Sequence, residues 1–391
     1  MNDNKDETLM STAPERKNGK LRISDIARLA GVSTAAVSAV LNNRPKISAQ
    51  TKERVQQIIK THNYVPQSAA RMLSSKRSYQ IGFLLSCKVT LGLANNYFAT
   101  MLSGVHDICR KRKYNVVIST YDMSDINEFI MPTNIRQCNI DGLILAGITD
   151  LQVVREIQKT KLPFVIIGGQ YPEDILCVNT DEQESCERIL SYFYSLGHRR
   201  IAVPVYYLFT REIYQEARER LCAKNLWNDL ELQFPPYQAE EFISGARLAG
   251  EWLAMPLAER FTALAATDQF AAGFLNRFIE AGGNCPQDIS IISLETPLSR
   301  YGIIQMTTFD DHTFILGQQA ALSVLDLAEG KRTFEEISFN LNMFKNNAEI
   351  IVRHSTAPPP NRSLHVIQKP DLQVKAAVEA IQVADGTFAL S

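Results

Sequence analysis

Apolar side chains recur at helical spacing near the start of the chain and in compact blocks after it. Ile26, Ala30, Val32, Val37, Val40 and Leu41 form one apolar side across two short runs, Asp25–Ala30 and Thr34–Leu41. Ser24 and Ser33 precede these runs, where a hydroxyl can accept from a free N–H of the first turn. Gly31 separates them and suits the left-handed residue that closes a helix. A third helix is predicted from Ser48 to about Asn63, with Val55, Ile58, Ile59 and His62 on its inner face. Pro66 stops it. Gln67–Ser75 is Ala-rich and too short to be a stable helix alone in water.

From Tyr79 the texture changes. Ile81–Leu85, Val116–Ser119, Gly142–Leu145, Phe164–Ile167, Ile201–Val203, Ala263–Ala266 and Ile289–Ile292 are short apolar runs, as buried parallel strands require. Amphipathic stretches such as Phe98–Lys113 and Phe270–Ala281 lie between them. This alternation predicts a doubly wound α/β architecture. No Gly-x-Gly-x-x-Gly or Walker-type loop is present, so no nucleotide fingerprint supports a kinase or dehydrogenase.

Charge divides the chain as the patterning does. Residues 21–78 carry ten Lys/Arg against Asp25 and Glu53, so this head is +8; the net charge of −1 leaves −9 for the rest. A small basic head on an acidic body is the electrostatic signature of a nucleic-acid reader. The 391 residues exceed one compact domain. Seven scattered cysteines without a Cys-x-x-Cys predict reduced thiols in a cytoplasmic protein, not a disulfide or zinc framework. No apolar run reaches membrane-span length, so no membrane partner is expected. The first twenty residues are polar, lack the apolar core of a signal peptide, and are predicted disordered.

The paired helices have the layout of a helix-turn-helix, whose second helix lies in the DNA major groove. Ile23-Ser24-Asp25-Ile26-Ala27, Ala30-Gly31-Val32-Ser33, Val37-Ser38 and Asn63-Tyr64-Val65-Pro66 resemble the LacI family of bacterial transcription regulators. The resemblance continues to about Pro359 through Asn96-Tyr97-Phe98, Asp141–Ile144, Leu196–Ile201, Ala266-Thr267-Asp268-Gln269, Thr307-Thr308 and Ile351–Ser355. It implies a small all-α helix-turn-helix head joined to a two-lobed, periplasmic-binding-protein-like α/β core. The expected domains are residues 1–20, 21–65 (helix-turn-helix), 66–78 (hinge), 79–359 (effector and dimerisation core) and 360–391. Crossings between lobes are expected near Leu196, near Ile304, and between Leu327 and Asn340. That makes lobe 1 about 79–196 and 305–330, and lobe 2 about 197–304 and 340–359. The tail after Asn361 lacks leucine heptads, so no tetramerising coiled coil is predicted.

On the reading helix Thr34, Ala35, Ser38 and Ala39 point away from the apolar side. Hydroxyls there can reach base edges or phosphates, and methyl groups can pack on a thymine methyl. The resemblance extends the DNA-binding set to Ser24, Ser33, Asn42, Lys46, Tyr64, Ala70 and Leu73. Leu73 matches the family's hinge leucine, which wedges into a minor-groove step. Ala39 departs from the larger reading side chain common in relatives. In the core the resemblance implies an effector set of Tyr97, Phe98, Arg211, Glu240, Asp268 and Glu295. Glu240 falls where relatives often carry an aromatic platform, unless an insertion brings Tyr237 or Phe242 there. Glu295 keeps a pocket carboxylate with longer reach, and Asp268 can equally cap the helix from Gln269.

No catalytic constellation, cofactor motif or metal spacing appears, so the chain is read as a regulator and not an enzyme. The implied partners are a near-palindromic double-stranded DNA operator, a small effector such as a sugar, and a second copy of the chain as a homodimer. A protein partner in place of the small effector, a transport solute-binding protein, and a sugar enzyme with an added DNA-binding head stay open as alternatives at this level.

Overall fold

The structure, a computed structural model, describes residues 21–41, 47–64, 77–89, 92–147, 149–169, 171–205, 210–225, 227–236, 241–344 and 348–360. The expected disordered N-terminus, hinge helix and C-terminal extension lie outside them. The chain divides into two units. One is the stretch up to Tyr79 with Cys138–Ile140, and the other is Gln80–Gln137 with the chain from Asp141 onward.

The first unit holds α1 (Ile23–Ala30), α2 (Thr34–Leu41) and α3 (Ala49–Thr61). Gly31 takes φ 62°, and the chain turns by 103° between α1 and α2, within the range of a helix-turn-helix. The Ser33 hydroxyl accepts from the Ala36 N–H at 3.1 Å, and Ser48 accepts from the Thr51 N–H at 3.3 Å, so both cap as expected. Ser24 does not cap. Helix α1 starts one residue earlier than the serine, and the Arg22 N–H donates instead to the Asp25 carboxylate at 2.8 Å. Ile26, Ala27, Ala30, Val37, Val40, Val55 and Tyr64 make the core, with Ile58 and Ile59 leaning on it. His62 is exposed, because α3 has ended before it.

The second unit has two sheets. The first sheet contains β1 (Gln80–Ser86), β2 (Asn115–Tyr121), β3 (Gly142–Ala146), β4 (Phe164–Ile167) and β5 (Cys177–Val178), in the order β2-β1-β3-β4-β5 and all parallel. The second sheet contains β6 (Arg200–Ala202), β7 (Glu231–Gln233), β8 (Ala263–Ala265), β9 (Ser290–Leu294) and β10 (Thr307–Asp310), in the order β7-β6-β8-β9-β10. Antiparallel β11 (Glu349–Ile351) adds to its β10 edge. The two sheets therefore repeat one 2-1-3-4-5 winding. Such a sheet opens a ligand crevice at the carboxyl ends of its strands, where the winding reverses.

Two lobe crossings differ from expectation. Helix α4 is Asn96–Lys111, α5 Thr133–Arg136, α6 Leu151–Lys159 and α7 Glu182–Ser195. Cys186, Ile189, Leu190 and Phe193 of α7 pack with Ile201 and Ala263 of the second sheet. The first crossing thus lies between Val178 and Glu182, well before Leu196. Gly197 only turns α7 into β6. Strand β10 pairs with β9 (Thr307↔Ile292), so residues 307–310 belong to the second lobe and the next crossing follows Asp310. The remaining helices are α8 (Thr210–Asn225), α9 (Glu241–Ala254), α10 (Asp268–Glu280), α11 (Pro297–Tyr301), α12 (Thr313–Glu329) and α13 (Phe334–Met343).

Each lobe contains one helix pair packed backbone to backbone through two glycines. In the first lobe, a Cβ on Gly104 of α4 would overlap the Phe314 carbonyl oxygen, and one on Gly317 of α12 would overlap that of Met101. In the second lobe, Gly245 of α9 and Gly273 of α10 stand in the same relation to Phe270 and Phe242. An Arg112 fork ties the first pair further, reaching Asp326 at 3.0 Å and Glu329 at 2.7 Å.

Candidate nucleic-acid interface and effector cleft

On the head, Ser24, Ser33, Thr34 and Ala35 are exposed, and Ser38 and Ala39 are half-buried. Thr34 and Ala35 start α2, the part of a reading helix that meets base edges. Tyr64 is only 7% exposed and belongs to the core, so its ring anchors the head. Burial, with Asp25 nearby, pushes its phenol up. Asn42, Lys46, Ala70 and Leu73 lie outside the described residues.

In the second unit, Asp268 and Asn96 come together from different lobes. Each is the first residue of its helix, α10 and α4, at the carboxyl-end side of its sheet. The Asn96 Nδ2 donates to Asp268 Oδ2 at 2.7 Å, and Thr296 Oγ1 donates to the same oxygen at 2.8 Å. Asp268 is 5% exposed. It does not cap its helix: the N-cap residue is Thr267, and the carboxylate turns to Asn96 and Thr296 instead. Thr267 donates to a second buried acid, Glu241 Oε2, at 2.7 Å. Burial pushes the Glu241 carboxyl up; the Thr267 hydrogen bond opposes this and the Asp268 charge adds to it. Tyr97 and Phe98 follow Asn96 on α4, ring edge to face at 5.3 Å, both half-buried.

Arg211 is exposed in the first turn of α8, its guanidinium 5.3 Å from the Phe234 ring centre. Phe234 directly follows β7, so an aromatic face does stand at a strand's carboxyl end, ten residues before Ser244. Glu240, the expected platform position, lies outside the described residues. Glu295 is differently placed from the expected pocket acid. Its side chain is 5% exposed, and its oxygens accept from Arg353, Arg300 and Thr308. Burial pushes the carboxyl up, but these hydrogen bonds outweigh it and hold it below its usual value. Glu295 is thus spent on holding β9, α11 and the segment after β11 together.

Asn96, Thr296, Glu241 and Phe234 were not singled out in the sequence as site residues. Asn96 directly precedes the aromatic pair Tyr97-Phe98 in a stretch that resembles the family. Phe234 had a signal that could have been used, a lone aromatic at the end of a β-like run. Thr296 and Glu241 carried none, because their roles come from neighbours distant in the chain.

A family model described as bacterial regulatory proteins, lacI family, matches residues 22–67, and a periplasmic binding protein-like domain model matches 190–356. Catabolite control protein A of Staphylococcus xylosus is 30% identical over 275 residues, covering 69% of this chain and 81% of the relative. The HTH-type transcriptional regulator MalR of the same organism is 26% identical over 316 residues, covering 79% and 91%. The lac repressor dimer bound to operator and the anti-inducer ONPF shares the fold, with a TM-score of 0.68 at 21% identity, covering 86% and 99%. The transcriptional regulator CelR in complex with cellobiose does so at 0.54, 21% identity, 86% and 100%. The chain belongs to the LacI family and is a DNA-binding transcriptional regulator.

Proposed function

We propose that the chain is a repressor that binds a near-palindromic operator as a homodimer, under the control of a polyhydroxylated effector, a sugar or sugar derivative, held between its lobes. The observation that carries this reading is Asp268. It is a buried carboxylate at the crevice of the second lobe, facing the first lobe, and its Oδ1 has no hydrogen-bond partner among the described residues. Asn96 and Thr296 both donate to Oδ2, which leaves Oδ1 to accept from a ligand hydroxyl. Tyr97, Phe98 and Phe234 offer apolar faces for a sugar ring, and Arg211 offers a fork of donors at the rim. CelR, a fold neighbour, is known with cellobiose, and another LacI-family regulator, from Enterococcus faecium, with ribose.

An effector with different affinity for two lobe angles shifts their populations, and the shift is reciprocal with DNA affinity. Residues 66–78 would carry that change to the head, with Leu73 as the minor-groove wedge. The test is a thermal-shift screen against sugars, since a ligand of the native state raises its stability. It is paired with binding to an operator selected from random DNA by the wild-type protein. Arg211→Ala and Asp268→Ala are expected to keep operator binding and lose the effector response. A normal response in both would place the effector elsewhere.

A further inference from the structure

The Asn96–Asp268 bond spans the cleft, and both ends are rigidly mounted. Asn96 begins α4, which is locked to α12 through Gly104 and Gly317. Asp268 begins α10, which is locked to α9 through Gly245 and Gly273. Neither helix can shift its first turn without disturbing a pair of backbones in contact. The bond therefore reports the position of whole lobes, not of two loose side chains. It is charge-assisted and short, which makes it stronger than a neutral pair. It also satisfies a carboxylate that is only 5% exposed while the lobes are together, so pulling them apart exchanges this bond for water. Thr296, from the same lobe as Asp268, stays with the carboxylate when the cleft opens. Asn96 alone of these two donors can tell open from closed.

We propose that Asn96 is an interlobe latch: the protein's own cross-cleft donor to Asp268, which stabilises the closed arrangement and sets how much closure an effector has to supply. The latch stands on the geometry alone; its regulatory consequence rests on the cleft being the effector site. Glu241 bears on the same point. Its carboxylate adds to the negative field around Asp268, which favours a donor over an acid facing that residue.

The test is hydrogen–deuterium exchange of the full-length protein by mass spectrometry, with no effector added, so its outcome is independent of the effector reading. Asn96→Ala removes the donor, and Asn96→Asp sets a carboxylate against Asp268. Both are expected to speed exchange in the peptide spanning Asp268, in the other lobe, by about five-fold or more, the change in opening equilibrium that one lost hydrogen bond gives. The double variant Asn96→Asp with Asp268→Asn reverses donor and acceptor and is expected to restore slow exchange. Unchanged exchange around Asp268 in the single variants overturns the latch. So does a double variant that exchanges as fast as Asn96→Asp.

Discussion

Arg353 grips Glu295 through both carboxylate oxygens, with Nη1 2.8 Å from Oε2 and Nη2 donating to Oε1 at 3.0 Å. The same guanidinium also donates to the Met306 carbonyl at 2.9 Å and to Thr308 Oγ1 at 2.8 Å. It thus joins the segment after β11 to β9 and β10. Removing one partner of a buried pair costs about 3 kcal/mol when the remaining charge is left unpaired, and Arg300 and Thr308 still donate to Glu295 here, so less is lost. Arg353→Ala is therefore expected to lower the melting temperature by up to about 6 °C, taking about 2 °C per kcal/mol for a unit of this size. Calorimetry checks this. A melting temperature equal to wild type would mean that Arg300 and Thr308 suffice for Glu295.

Glu295 shows what the sequence could and could not disclose. A carboxylate after a late strand is legible at once, and its place in the resemblance made it a pocket residue. Its partners are not legible: Arg353 stands 58 positions away, and only folding brings it to Glu295. The buried strands β1, β3 and β4 are legible because parallel strands are near-continuous apolar runs. Strands β7 and β10 carry one apolar residue each, and β5 has two residues in all, so no such run marks them. The lobe that holds helix α7 is not legible in the sequence. The helix's apolar face fits either sheet, and only the packing of Phe193 against the second core decides.

Two buried groups contribute to the acid limb of stability, in different pH windows. Burial depresses His198 to about 4; its Nδ1 lies 2.9 Å from Thr262 Oγ1 and its Nε2 2.9 Å from the Ala357 carbonyl oxygen. Unfolded histidine titrates near about 6.5. Between these values the unfolded chain binds the extra proton, so stability falls as pH drops from about 6.5 toward about 4. Glu295 is held below its usual value, so its contribution is present above about 4.3 and is lost as pH falls further. Urea unfolding of His198→Gln at pH 7 and pH 5 is expected to show a smaller loss on acidification than wild type. An equal loss would show that His198 does not set that limb.

The glycine pairs predict a sharp cost for the smallest side chain. Gly245→Ala puts a methyl group onto the Phe270 carbonyl oxygen, and Gly317→Ala puts one onto that of Met101. The clashing atoms are backbone, so relief requires the helices to separate. Overpacking of this kind costs about 1–3 kcal/mol, and the rigid neighbours here favour the upper end. Gly250, also on α9, has open space where a methyl group would stand, with no described atom within 4 Å, so Gly250→Ala is the control. It is expected to stabilise by several tenths of a kcal/mol through helix propensity. Thermal unfolding of the three variants checks the ordering. Equal melting temperatures would remove the locked-pair argument, and with it the rigid mounting of Asn96 and Asp268.

DNA binding by the head is expected to be strongly electrostatic and only thinly sequence-reading. Thr34 and Ala35 are exposed at the start of α2, while Ala39 offers one methyl where a longer side chain would reach further. With few base-reading groups, phosphate contacts and DNA deformation carry more of the affinity. Binding to a selected operator is therefore expected to weaken by about 10³-fold or more between about 50 and about 200 mM salt. Thr34→Ala is expected to lower the preference for the selected site over scrambled DNA while leaving the salt dependence intact, because a threonine contact releases no counterion. Leu73→Ala is expected to act more strongly. On the proposed role of Leu73 as a minor-groove wedge, its loss leaves the duplex unkinked and lowers the selected site toward the affinity of scrambled DNA. Fluorescence anisotropy with both duplexes at two salt concentrations separates the cases. A shallow salt dependence would dismiss the phosphate argument, and an undiminished site preference in Leu73→Ala would dismiss the wedge.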